Sequence, residues 1–366
     1  MKYKFIFLIL IILSHISFSQ ETNKKDLSVG DEYFFASENL NRKLKVFIGL
    51  PKDYHKSNCT YPVHYVLDGQ IIFPFFYGTA DILSRGDIPE SIVVGIQSVN
   101  RGYYFKPGDG ANEFIDFLSE ELIPFINKNY RTNEFRSICG HSTTGAFILN
   151  SILYHPNLFD MYFAGAPYHS RMLLEKDPAT LISNYDKNKY LYVFYGLEDN
   201  DKEKADWDSL RVIIEKMKNE KLSLVNKEYE NEDHYSVIYR YIPDGLKEAF
   251  KGWKYQPDQG EEFTLSGLEK YRETQKGRFN VSFNYGDRYF IDEAMSMLRK
   301  GEKEKIIALM KYGLSYHPNS VILHNIIAVE YENTGKLDLA KIHYRRMLEI
   351  DPDLPPEISS KIPKLD

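Results

Sequence analysis

The chain has 366 residues, a formal net charge of −6 and 43% apolar residues, enough for one good-sized enzyme domain and something smaller. Mild acidity without a basic run excludes a nucleic-acid footprint. There is no H-E-x-x-H, no cysteine–histidine cluster and no glycine-rich phosphate loop, so no metal or organic cofactor is implied.

The N-terminus reads MKYKFIFLILIILSHISFSQ. Two lysines, an apolar run from Phe5 to Leu13 and small residues at Ser17 and Ser19 predict a signal peptide over 1–20. The apolar run is too short to span a bilayer comfortably. The expectation is an exported protein, periplasmic or secreted, with no membrane span after cleavage. Cys59 and Cys139 are its only cysteines. They fall before one strand and at the far end of a neighbouring one, beyond bridging distance, so two free thiols are expected, Cys139 buried.

Lys43–Pro51 alternates like a half-exposed strand. Tyr61–Gly69 is a strand running into a turn, and Ser91–Ile96 a short apolar strand of the buried kind. In ANEFIDFLSEELIPFINKNY, Phe114, Phe117, Leu118, Leu122 and Ile126 recur at helical spacing. FRSIC reads as another buried strand and TTGAFILNSILYH as a helix. The strands MYFAGA, YLYVFYG and LVNKEYE follow, with WDSLRVIIEKMKNE as the helix before the last. Alternating strands and helices imply a mostly parallel sheet covered on both faces. This domain is expected over 27–255.

The tail is different. Gly301 and Gly335 are 34 residues apart, as are Pro318 and Pro352. Tyr331, Gly335, Ala340, Tyr344 and Pro352 fit the tetratricopeptide pattern, and the unit before them is a weaker copy. Two repeats are expected over 285–354, followed by a tail of 355–366. Two repeats seldom bury enough to stand alone. They are expected to dock on the first domain through a helix, LSGLEKYRETQK, in the linker 256–284. They serve either as a cap or as a groove for a protein partner.

RSICGHSTTGAF nearly contains G-x-S-x-G, with Thr144 where the second glycine belongs and Gly145 one residue late. A serine becomes a nucleophile when an imidazole takes its proton and a carboxylate fixes that imidazole. In the α/β-hydrolase arrangement, acid and then histidine follow the serine in chain order. Ser142 sits between a predicted strand and helix. GLEDND, after YLYVFYG, offers Asp199, with Glu198 as the alternative acid. His234 follows the strand LVNKEYE, whereas His155 reads as a helix end and His169 precedes the acid. The oxyanion hole needs two backbone N–H groups, assigned to Thr143 and Gln70. The aromatic segments Phe73–Gly78 and Arg101–Phe105 are candidates for a pocket wall or for ordinary core.

These segments, with FFASENLNRKLKVFIGLPKDYH, IPESIVVGIQSVNR and NEDHYSVIYRYIPDGLKEAF, resemble the putative-esterase family of α/β-hydrolases, which includes esterase D and siderophore esterases. The resemblance covers roughly Glu32 to Trp253. It implies Ser142 as nucleophile, His234 as base, Asp199 or Glu198 as acid, and a match of Arg101 to the family's arginine. The family's G-H-S-x-G-G has Thr144 at its fifth position here, and Tyr103 and Tyr104 stand where an acidic residue often follows the arginine. Thr144 is expected to overpack the turn, at a cost of about 1–3 kcal/mol. The fold expected is therefore an α/β-hydrolase followed by a small all-α domain. Its function would be an exported serine esterase acting on a small-molecule or glycan ester, with acyl transfer as a variant. The alternative is an inactive hydrolase-fold scaffold acting through its repeats.

Overall fold

The computed structural model describes residues 29–168, 185–217, 219–258 and 261–361. The expected signal peptide and His169 lie outside the described residues. Eight strands form one sheet: β1 (Asp31–Ser37), β2 (Arg42–Gly49), β3 (Tyr61–Leu67), β4 (Ile92–Ile96), β5 (Thr132–His141), β6 (Met161–Gly165), β7 (Lys189–Gly196) and β8 (Leu222–Tyr229). Their order is β1-β2-β4-β3-β5-β6-β7-β8. β1 and β2 join antiparallel, and β4, β3 and β5 to β8 are parallel. β3 and β4 are buried along their whole length, and β4 accordingly reads as a short apolar run rather than an alternation. β1 is mostly exposed and escapes the sequence reading, because an edge strand facing water carries no apolar signature.

The chain leaves β3 to one side, makes β4, and returns to place β5 on the other side. Crevices for ligands open at such a reversal, beyond the C-terminal ends of the strands. Helix α1 (Gly69–Leu83) follows β3 and buries Ile72, Phe73 and Phe76. Phe73 and Phe76 are each 1% exposed, so these two rings belong to the core, and none of Phe73–Gly78 lines the cleft described below. The segment is not recognisable as a helix because Pro74 interrupts it, and a mid-helix proline ordinarily breaks the ladder. Helix α2 is built of Asp109–Asp116, a π-helical turn Phe117–Leu122, and Ile123–Asn129. The wide turn stands directly before Pro124, whose ring would otherwise press on the carbonyl four residues back. α3 (Thr143–Tyr154), α4 (Asp201–Lys216) and α5 (Ile238–Ala249) complete this domain. His155 caps the end of α3.

Helix α6 (Leu265–Phe279) lies across the N-terminal ends of the strands. The Arg278 carbonyl accepts from Tyr190 Oη at 2.6 Å, and Arg278 Nη1 donates to the Lys251 carbonyl at 2.6 Å. Phe279 packs on Phe135, Tyr190, Phe250 and Phe283 with ring centroids 5.1–5.9 Å apart. Burying each such ring is worth roughly 1.5–3 kcal/mol. Helix α6 thus packs on the first domain through Arg278 and Phe279. Helices α7 (Asp287–Lys300), α8 (Lys303–Tyr316), α9 (Val321–Asn333) and α10 (Leu337–Ile350) follow, each packed on the next. Gly301 and Gly335 turn the chain at φ +78° and +71° between the helices of each hairpin, a conformation open to glycine at no steric cost. The tail also meets the loop before β3, where Asn58 N donates to the Tyr316 carbonyl at 2.9 Å and Asn284 Nδ2 to the Thr60 carbonyl at 3.2 Å. Cys59 and Cys139 are both free and buried.

Candidate active site

Ser142 stands between β5 and α3 with φ 61° and ψ −122°. That conformation lies outside the regions open to L residues and costs on the order of 1–3 kcal/mol. Its surroundings hold it there. Ser142 N donates to the Gly165 carbonyl at 2.9 Å, and its own carbonyl accepts from Ala146 N at 3.0 Å and Tyr168 N at 3.1 Å. A Cβ on Gly140 would come within 2.6 Å of the Thr144 carbonyl, and one on Gly145 within 2.6 Å of the Gly165 carbonyl. The close approach of helix to strand thus falls on Gly145, the glycine that looked one residue late.

Thr144, expected from the sequence to overpack the turn, is a hydrogen-bonded residue. It is fully buried, and its hydroxyl accepts from His141 N at 2.8 Å. For its one proton it has Asp68 Oδ2 and the His141 carbonyl, both at 2.8 Å. The position is occupied by a polar connector. Asp68, read from sequence as part of a simple turn, is the other end of that connection. It is buried, adopts the left-handed conformation just before α1, and pairs through Oδ1 with Arg101 Nη1. Arg101 Nη2 also donates to the His141 carbonyl at 3.3 Å. The arginine therefore finds its acid on the β3–α1 turn. Tyr103 is exposed and donates to Glu113, while Tyr104 and Phe105 enter the core.

His234 Nδ1 lies 3.0 Å from Asp199 Oδ2, with the two side chains 14% and 5% exposed. Asp199 emerges from β7 and His234 from the loop after β8. Glu198 is exposed, its N–H held by the Glu232 carbonyl at 3.0 Å. Of the two candidate acids, only Asp199 meets the histidine. The loop that carries His234 is pinned at its start, where Asp233 Oδ1 accepts from the N–H groups of Tyr235 and Ser236, each at 2.8 Å. Those two bonds hold the exposed Asp233 carboxyl below its usual range.

A cleft of about 450 Å³ brings these parts together, lined by Asp68, Arg101, Ser142, Thr143 and His234 with Ile71, Ile72, Tyr168, Tyr235 and Ile238. His141 also reaches it, its ring 4.8 Å from that of His234 and nearly parallel to that of Tyr241. Burial, reinforced by the charge His234 can carry, pushes the His141 pKa down to about 3. A neutral His141 adds no charge of its own to the cleft. Thr143 and Gln70 occupy first turns, of α3 and α1 respectively, whose N–H groups have no intrahelical acceptor. Thr143 lines the cleft and Gln70 does not; the Gln70 Oε1 accepts from Ser98 N at 3.1 Å. Tyr168, Ile71 and Ile72 went unrecognised in the sequence. Nothing in their local pattern marks them, since only the packing of two separate segments, the start of α1 and the turn after β6, brings them to one opening.

The family model described as Putative esterase matches residues 37–265. The ferri-bacillibactin esterase BesA of Bacillus subtilis is 25% identical over 253 residues, covering 58% of this chain and 87% of that one. An IroE-like serine hydrolase from Shewanella oneidensis shares the fold with a TM-score of 0.66 at 23% identity, over 76% of this chain and 97% of that one. An uncharacterised protein from Capnocytophaga ochracea superposes with a TM-score of 0.61 at 18% identity, over 92% of this chain and 99% of its own. With its matching segment running from the first strand into the start of α6, the chain belongs to the putative-esterase family.

Proposed function

We propose that the protein is a serine esterase in which Ser142, His234 and Asp199 act as a triad. The observation that carries this reading is the 3.0 Å bond between His234 Nδ1 and Asp199 Oδ2, at a cleft shared with a serine on a strained strand-to-helix turn. Asp199 fixes the Nδ1–H tautomer, so Nε2 is the lone pair that takes the Ser142 proton. Ser142 Oγ attacks the ester carbonyl, and the oxyanion meets the N–H groups of Thr143 and Gln70. The imidazolium then protonates the departing alcohol, leaving an acyl-serine. Water, deprotonated by His234, attacks that acyl group and regenerates the serine. An alcohol in place of water would make the same intermediate an acyl donor.

Ile71, Ile72, Tyr168, Tyr235 and Ile238 give the cleft apolar and aromatic walls around the Asp68–Arg101 pair, which suits an acyl or aryl ester bearing a polar group. The ferri-bacillibactin relative makes ferric-siderophore lactones the first natural esters to test. Export is part of the same reading, from the N-terminal segment 1–20, and the tail hairpins are read as tetratricopeptide-like repeats that cap the sheet. The test treats the mature chain and Ser142→Ala with a fluorophosphonate probe and with p-nitrophenyl acetate and butyrate, both proteins shown folded by circular dichroism. Labelling and turnover should disappear in the alanine variant, turnover falling by roughly 10³-fold or more. Turnover that survives the substitution would remove Ser142 from the chemistry.

A further inference from the structure

The Thr144 hydroxyl bridges two segments 76 residues apart in sequence. On one side it lies in the first turn of α3, next to Thr143. On the other it reaches Asp68, which immediately precedes α1 and therefore Gln70. We propose that Thr144 is a positioning residue that locks the two halves of the oxyanion hole to each other through Asp68. The proposal rests on the esterase reading above and deepens it.

Several contacts make Asp68 a fixed anchor rather than a mobile surface acid. Arg101 holds its Oδ1, and Asp68 N donates to Ser98 Oγ at 2.8 Å. Ser98 N in turn donates to Gln70 Oε1 at 3.1 Å, so the start of α1 is braced on the turn after β4. Arg101 Nη2 and the Thr144 hydroxyl converge on the end of β5, at the His141 backbone. What remains is to hold the start of α3 against this assembly. The Thr144 hydroxyl does so with a charge-assisted bond in a buried setting, the stronger kind. A glycine at 144 offers no group for Asp68 Oδ2. Donors for an oxyanion act only if their spacing is set before the charge develops, and a displacement of about 1 Å near the reacting centre can cost about 100-fold.

The test compares Thr144→Val, which keeps the shape and removes the hydroxyl, with Thr144→Ser, which keeps the hydroxyl. For the valine variant kcat should fall roughly 10- to 100-fold with KM within about threefold, the pattern of an interaction realised in the transition state. A trifluoromethyl ketone inhibitor, whose enzyme adduct is an oxyanion, should weaken in step with kcat/KM. Thr144→Ser should recover activity to within about fivefold of the parent. Equal losses in the valine and serine variants would overturn the proposal, as would a valine variant with unchanged kcat and only a lower melting temperature. Ser142→Ala, measured alongside, separates this outcome from failure of the esterase reading. If the parent shows no Ser142-dependent turnover, that reading fails and the oxyanion role with it. The connection itself is then read from urea unfolding of Thr144→Val, Asp68→Asn and the double variant. Non-additive changes support a Thr144–Asp68 bond, and additive ones overturn it.

Discussion

The two ends of the sheet are opposites made from the same strands. At the C-terminal ends stand Asp68, Arg101, Ser142 and His234, polar groups around an open cleft, with Asp199 buried behind His234. At the N-terminal ends, Phe135, Phe250, Phe279 and Phe283 form an aromatic cluster sealed by the tail. The strained serine and buried carboxylates of one end cost stability. The rings at the other supply it, far from the chemistry. A tail docked there braces the enzyme without touching the cleft.

Substitutions at the polar end should remove activity and leave folding nearly intact. His234→Ala is expected to lower kcat by about 10³–10⁴-fold, and Asp199→Asn by a comparable factor because the wrong tautomer is favoured. Glu198→Gln should stay within about threefold of the parent. A large loss from Glu198→Gln with a small one from Asp199→Asn would show that the working acid is the other carboxylate.

The aromatic end should answer in the reverse way. Phe279→Ala, which empties a fully buried site, should cost about 3–5 kcal/mol in urea unfolding, with kcat per folded molecule unchanged. A fall in kcat under conditions where circular dichroism shows the variant folded would mean that the tail communicates with the cleft, and the contrast between the two ends would fail.

The smallest expected effect concerns pH. His64, in the middle of β3, is fully buried, and burial pushes its pKa down from 6.5 to about 3. His141 at the cleft is lowered likewise to about 3. The unfolded chain therefore binds more protons below about pH 6.5. Stability present above that pH is lost as pH falls toward 3, with a limiting slope of about 1.4 kcal/mol per pH unit for each histidine. Glu90 acts in the opposite sense. Burial and the neighbouring acids Asp287, Asp53 and Asp81 raise its pKa to about 7, so its contribution is present below 4.5 and is lost as pH rises through 7. His64→Gln should flatten the fall in urea midpoint between pH 7 and pH 5 relative to the parent. An unaltered pH dependence in that variant would show that the His64 environment is wetter than the buried strand implies.

The sequence by itself determined the alternation of strands and helices, and so the parallel sheet. It also set the order serine, acid, histidine, because each is announced locally by the strand it follows. The aromatic helix α1 stayed illegible, since Pro74 hid its periodicity, and β1 did so because an exposed edge strand has no apolar pattern. Only the tertiary structure decided that Asp199 rather than Glu198 meets His234. Adjacent residues in a turn point in different directions, and which one faces a loop some 35 residues on depends on how both strands are placed. The same holds for Thr144. By residue type it looked like excess volume in a glycine position. Its worth as a connector depends on Asp68, 76 residues earlier, and a hydrogen bond across that distance exists only once β3 and β5 lie side by side.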